Sequence, residues 1–313
     1  MNEDMDNRVD SECDLETSAS ERLSGITSPV LWPIGKSFLR NIHDLQALLV
    51  MPRMLYGFTS VVRHMMNLVL EYLTTGQHVN KDTRQVIEEV FERLSAFANN
   101  QQTVADLSSK SVREFDEKIL SHPSYGPMLI SSQKVLRSAV VSASWTALEC
   151  IAADCWVAAL NTSPIPLAQR ALSSIPEEPQ EISSKQIPVG LAAKYNFDLR
   201  NCLGTILRSK FDFTSVSGMK KAFKAAFSDN NELIDILSKP LLCDLEISRH
   251  LIVHRAGIVD EEYNRRTSAN FSIGNTLELD DQRVREFAEC AGFTGSAVLL
   301  FVDEWLVANS GKN

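Results

Sequence analysis

The stretch Ser132–Ala159 and its continuation to Leu160 limit the fold more than any other part of the chain. From Val140 it reads V-V-S-A-S-W-T-A-L-E-C-I-A-A-D-C-W-V-A-A-L, with no glycine or proline to stop a helix. Ser138, Ser142, Ala143, Thr146, Ala152 and Ala153 are small enough to let other helices come close, while Trp145, Leu148, Ile151 and Trp156 supply bulk. A helix this apolar around its circumference must be covered on most sides. The expected fold class is therefore all-α, a helical bundle. Glu149 is the discordant residue, because a carboxylate among such neighbours is costly unless it is exposed or paired. It reads either as a solvent-facing residue or as the partner of a cation such as Arg249, with Asp154 a second candidate for that role.

Helical periodicity recurs along most of the chain. Helices are expected at 36–50 and 52–73, with Pro52 in the first turn of the second. Asp82 is placed to cap Thr83–Asn99, with Val86, Ile87, Val90, Phe91, Leu94 and Phe97 as its apolar stripe. Val104–Leu120 is a more charged candidate, and His122-Pro123-Ser124-Tyr125-Gly126-Pro127 ends that run. Residues 161–190, with Pro164, Pro166, Pro176, Pro179 and Pro188, read as a long connection with one short helical turn at most. Helices resume at Asn196–Leu207, Val216–Ala226, Asn231–Ser238 and Leu241–Arg255. Two more follow at Asp281–Cys290 and Thr294–Ala308, joined at Gly292, and only Leu277 and Leu279 suggest a short extended piece. This divides the chain into an acidic disordered tail (1–27), an N-terminal helical module (28–127) and a C-terminal helical domain (132–308).

Charge and cysteine usage narrow the function classes. The formal net charge of -9 argues against a general basic coat for nucleic acid. It is unevenly spread: residues 185–266 carry thirteen Lys/Arg against ten Asp/Glu, a net of +3. The six cysteines form no CxxC pair and read as reduced thiols in a cytoplasmic protein. The acidic N-terminus is no secretory signal. Leu45–Leu73 and Ala139–Leu160 are interrupted by charged residues, so both read as buried core helices and no membrane is expected. His64 and His78 are isolated and read as structural.

Chemistry concentrates in Asp244–Asp260, D-L-E-I-S-R-H-L-I-V-H-R-A-G-I-V-D. Much of it is an ordinary amphipathic helix, acidic toward its start and basic toward its end as the helix dipole favours, with Gly257 placed for a left-handed C-cap. His250 and His254, however, are four residues apart and share a face. Arg249 adds a fork of donors suited to phosphate oxygens. Together they supply a proton donor or acceptor and a cation, as metal-free phosphodiester transesterification requires. Arg255, Lys220, Lys221 and Lys224 are candidate RNA contacts, although a solvated face is the default explanation for the lysines.

The run R-H-L-I-V-H-R-A-G-I-V-D-E-E-Y-N-R-R, preceded by the Glu149 helix, resembles the HEPN superfamily of all-helical domains over about residues 132–308. Its R-x4-6-H ribonuclease signature falls on Arg249 and His254, with His250 at the polar position after the arginine. The resemblance implies an HEPN-like C-terminal core and a homodimer whose catalytic helices meet. It implies a metal-independent endoribonuclease, without cofactor, in which an RNA 2'-OH attacks the adjacent phosphate. Family members serve as toxins or antiviral defence effectors, which implies an antitoxin or regulatory protein as a partner. Other members have lost catalysis, so a noncatalytic protein- or nucleotide-binding module is the alternative. Positions 249 and 254 lie about 140° apart on an ideal helix, so the dimer would be part of the mechanism. Glu246, His250 and His254, spaced i, i+4, i+8, form a rival metal constellation without the H-E-x-x-H pattern.

Overall fold

The computed structural model describes residues 25–76, 81–100, 103–104, 106–107, 110, 121–175, 187, 189–228, 230–267 and 270–310. The stretch 1–24, His78 and most of the helix expected at 104–120 lie outside them. The fold is an all-α bundle. In chain order it comprises α1 (Trp32–Thr74), α2 (Thr83–Asn99), α3 (Gly126–Thr162), α4 (Gln169–Ser173), α5 (Val189–Lys194), α6 (Leu203–Leu207), α7 (Val216–Ala226), α8 (Asn231–Ile236), α9 (Pro240–Arg255), α10 (Glu261–Thr267) and α11 (Asp281–Asn309). A single antiparallel bridge, Ile258 to Thr276, is the extended structure among the described residues.

Contacts divide the chain into two compact units, one comprising Met1–Gln46 and Arg137–Asn313 and the other Ala47–Leu136. The start of α1, expected to open the N-terminal module, therefore packs with the C-terminal helices. Leu31, Phe38, Ile42 and Leu45 are buried there. Phe38 lies so close to α11 that a Cβ on Gly295 would fall 2.2 Å from its ring, and one on Gly292 would lie 3.5 Å from Ile42. Gly292, expected to separate two helices, instead lies inside a single one. A mid-helix glycine costs about 1 kcal/mol relative to alanine, and the contact with α1 offsets it.

The tail expected to be disordered through residue 27 is anchored before it ends. Asp303, 4% exposed on α11, accepts hydrogen bonds from Thr27 N (3.0 Å), Thr27 Oγ1 (3.2 Å) and Ser28 N (2.7 Å). Those two backbone amides stand just before α1.

In the same unit, α3 is buried as expected. Trp145, Leu148, Ile151 and Trp156 are all essentially inaccessible, and each such side chain contributes about 1.5–3 kcal/mol on leaving water. The Trp156 indole donates to Ala222 O of α7 at 3.0 Å, and its ring meets Phe211 and Phe213. The proline-rich connection contains more helix than expected. Pro164–Ala168 forms a wide π turn leading into α4, because Leu167, Ala168 and Ala171 are buried. The helix expected from Asn196 cannot begin there, since Asn196 and Phe197 both have positive φ (52° and 59°). It is replaced by α5, a turn and the short α6. α10, which the sequence pattern did not announce, starts where Asp260 Oδ1 accepts from Tyr263 N.

In the other unit, Asp82 and Gln85 form a reciprocal capping box at the start of α2. Tyr72 and Lys81 both donate to Glu89, and the His64 and Phe97 rings lie 4.8 Å apart. Two expectations fail here. α1 runs from Trp32 to Thr74 as one helix rather than as two, 36–50 and 52–73. The apolar residues of Leu45–Leu73 and α2 are also not uniformly core. Leu55, Phe58, Met66, Ile87 and Phe91 are all exposed, while Phe97 and Tyr72 are buried. By length and composition alone, α3 and α11 are apolar enough to cross a membrane, and α1 would be a third if its two arms count as one span. About half of the apolar window in each of α3 and α11 is buried within the fold (44% and 56%).

Replacing Asp303 by alanine leaves two backbone donors near Ser28 without their acceptor and should lower unfolding free energy by about 2 kcal/mol or more. Denaturant unfolding of the two proteins measures it, and equal midpoints would show that the anchor contributes nothing.

Candidate functional site

α9 opens with Pro240 at a position where a missing amide costs nothing. Leu242, Leu245, Ile247, Ser248 and Leu251 form its buried side. At the other end both Ala256 (φ 51°) and Gly257 (φ 75°) are left-handed, and Gly257 N reaches back to Leu251 O at 3.1 Å. The cap therefore falls one residue earlier than Gly257 alone suggests, and an L-residue occupies a conformation that favours glycine. The chain then folds back on the helix. Leu277 N donates to Gly257 O (2.7 Å) and Val259 N to Asn275 O (2.9 Å). Val259, Tyr263 and Leu277 close a small core over Ile247 and Leu251. Ser248 Oγ and Tyr263 Oη share a buried hydrogen bond of 3.1 Å, and Arg283 of α11 donates to Asp244 at 2.8 Å. These contacts hold both ends of α9 rigidly, which is what a catalytic or binding residue on it would need.

The residues singled out in the sequence fall into distinct neighbourhoods. Glu149 of α3 and Arg249 of α9 face one another, with Oε2 to Nη2 at 4.0 Å and side chains only 15% and 23% exposed. That is an ion pair without a hydrogen bond, and Arg249 makes no hydrogen bond among the described residues. Its donors remain unspent. His250 and His254 are exposed, with ring centroids 4.7 Å apart. Arg255 is also exposed, within 3.6 Å of Asp260. On α7, Lys221 and Lys224 point to solvent, while Lys220 is half-buried and its charge acts on Cys243 of α9. Asp154 is exposed, and the cation beside it is Arg208 rather than Arg249.

Glu246 departs from the metal constellation. Its carboxylate accepts from Val216 N at the start of α7 (3.2 Å), and among the described residues no three His, Cys, Asp or Glu side chains converge as a metal site would require.

Two residues that motif reading missed, Arg208 and Asp212, also act on Glu149. Arg208 lies over the buried Phe213 ring at 4.5 Å and donates to Phe211 O. Asp212 accepts from Thr214 N, Thr214 Oγ1 and Ser215 Oγ. It can approach α7 only because residue 218 is glycine, where a Cβ would lie 2.4 Å from Asp212 O. The run D-F-T-S before α7 is legible as a helix start, but no spacing rule ties it to Glu149. A separate cavity of about 760 Å³ is lined by Ile165, Leu172, Phe197, Leu203, Ile206 and Lys210 among others, none of them from α9.

Burial pushes the Glu149 carboxyl above its ordinary value. The charge of Arg249 and the nearby Trp145 N–H pull the other way and are outweighed. No known family model, curated protein or solved structure matches the chain.

Because the folded protein holds a proton on Glu149 more tightly than the unfolded chain does, this group's contribution to stability falls as pH rises from the ordinary carboxylate range through the raised value. Above it, the full penalty of a desolvated charge remains. Glu149→Gln cannot titrate, so its melting temperature minus that of the wild type should increase between about pH 4 and about pH 7. A flat or decreasing difference would contradict the assignment of a desolvated carboxylate.

Proposed function

We propose that this chain is a metal-independent endoribonuclease of the HEPN type, with Arg249, His250 and His254 as its reactive set and Glu149 as the residue that positions Arg249. The observation that carries the proposal is the pairing of a half-buried guanidinium with unspent donors and two exposed imidazoles on one end of the same rigid helix. A guanidinium held by a carboxylate at 4.0 Å is fixed in place yet retains donors for phosphate oxygens. An imidazole offers one nitrogen as proton acceptor and one as donor, so it can serve either transfer.

In the proposed reaction the ribose 2'-oxygen attacks the adjacent phosphorus as its proton passes to a base. The P–O5' bond breaks, and an acid protonates the departing 5'-oxygen. The products are a 2',3'-cyclic phosphate and a 5'-hydroxyl. His254 is assigned to one of the proton transfers, with His250 assisting, and Arg249 neutralises the non-bridging oxygens. Because residues 249 and 254 diverge by about 140° around an ideal helix, two copies of α9 are proposed to complete one site. The need for a 2'-hydroxyl makes RNA the substrate. Arg255 and Lys220 are proposed to contact the strand to either side.

His254→Ala and Arg249→Ala should each slow cleavage of a labelled single-stranded RNA by about 100-fold or more with helicity unchanged. Replacing the scissile ribose by deoxyribose should abolish cleavage, and end-group analysis should find the cyclic phosphate. Undiminished cleavage in both variants would overturn the proposal.

A further inference from the structure

Beyond residue 54, α1 carries two apolar faces rather than one. Gly57, Val61, Met65, Leu68 and Tyr72 are buried or half-buried on one side. Around the helix from them, Leu55, Phe58, Val62, Met66, Leu70 and Leu73 fall within a sector of about 120° at 100° per residue. These six are 60, 67, 40, 57, 52 and 40% exposed. No charged residue interrupts the stripe. Its exposed area is roughly 600 Å² per copy, at the upper limit of what a monomer leaves open.

The spacing identifies what covers it. The intervals between the six positions are 3, 4, 4, 4 and 3, so the stripe reads the same in both directions about residue 64. Two copies laid antiparallel across a two-fold axis at that point place Leu55 against Leu73 of the second copy, Phe58 against Leu70, and Val62 against Met66. Every large side chain then meets another, as an isologous interface demands. Steps of three and four keep all six side chains on one face of the helix. Two such faces bury roughly 1,200 Å², the lower end of specific interfaces.

A lipid surface fits less well. Ala47–Leu136 carries nine Lys/Arg and nine Asp/Glu, a net charge of zero with no attraction for anionic headgroups. The stretch 1–24 has no apolar run to fill the stripe. We infer that the Ala47–Leu136 unit is a self-association module, in which the α1 stripe pairs antiparallel with that of a second copy of this chain. This surface is distinct from Arg249 and His254, and the inference does not rest on the ribonuclease reading.

Sedimentation velocity of the full chain tests it, with Phe58→Lys and Leu70→Glu as single substitutions and as a pair. The wild type should sediment as a dimer of the 34.9 kDa chain or, where α9 also pairs, as a larger assembly that both single substitutions reduce. Each single substitution should weaken association roughly 30-fold or more, with circular dichroism unchanged because both positions are exposed. The pair should recover dimer, since the introduced lysine and glutamate face each other across the axis. A wild type that is monomeric at about 100 μM, or a dimer indifferent to both single substitutions, would overturn the inference. So would a monomer that floats with phosphatidylcholine–phosphatidylserine vesicles. A doubly substituted chain that stays monomeric would overturn the antiparallel register.

Discussion

A carboxylate inside the long apolar helix α3 sets the terms for the rest of its unit. Glu149 cannot be left alone beside Trp145, Leu148 and Ile151, because an unpaired buried charge costs several kcal/mol. α9 answers it with Arg249, and the loop before α7 brings Arg208 and Asp212 into the same field. The pairing is incomplete in an informative way. At 4.0 Å the ions attract without a hydrogen bond, so the carboxylate stays harder to ionise than usual and the guanidinium keeps its donors. An arginine satisfied by a bidentate carboxylate would have less to offer a phosphate.

The surroundings of α9 explain why its C-terminal end can be both exposed and held in place. The left-handed pair Ala256–Gly257 turns the chain back, and the backbone bonds to Asn275 and Leu277 clip the return segment onto the helix terminus. Tyr263, Val259 and Leu277 then cover one side of the last turns, leaving His250, His254 and Arg255 facing water. At the other end, Arg283 ties Asp244 to α11, and α11 in turn holds the approach to α1 through Asp303 and Gly295. Fixed ends and a solvated tip are compatible because the burial is confined to one side of the helix.

The second unit follows a different logic. Its α1 and α2 share buried residues such as Tyr72 and Phe97, yet several of its largest apolar side chains remain in contact with water. Amphipathic periodicity is satisfied twice over on one helix. Exposed apolar residues on one side of α1 and buried ones on the other are what the self-association inferred above builds on.

Several features were legible in the residues alone, and they share a physical basis. The all-α class, the span Val216–Ala226, the N-cap at Asp82 and the burial of α3 all follow from local periodicity and hydrogen-bonding chemistry that the chain carries wherever it folds. So did the proximity of His250 to His254, fixed by four residues of helix. The tertiary structure alone decided the questions that turn on distance in space. It joined two expected helices across Gly292 because Ile42 and Phe38 reward a continuous α11. It anchored Thr27 to a carboxylate 276 residues away. It gave Glu246 to the start of α7, and placed Asp154 beside Arg208 rather than Arg249. A sequence specifies which groups need partners, but which partner arrives depends on how helices pack, and that packing is set by contacts between residues that no local pattern connects.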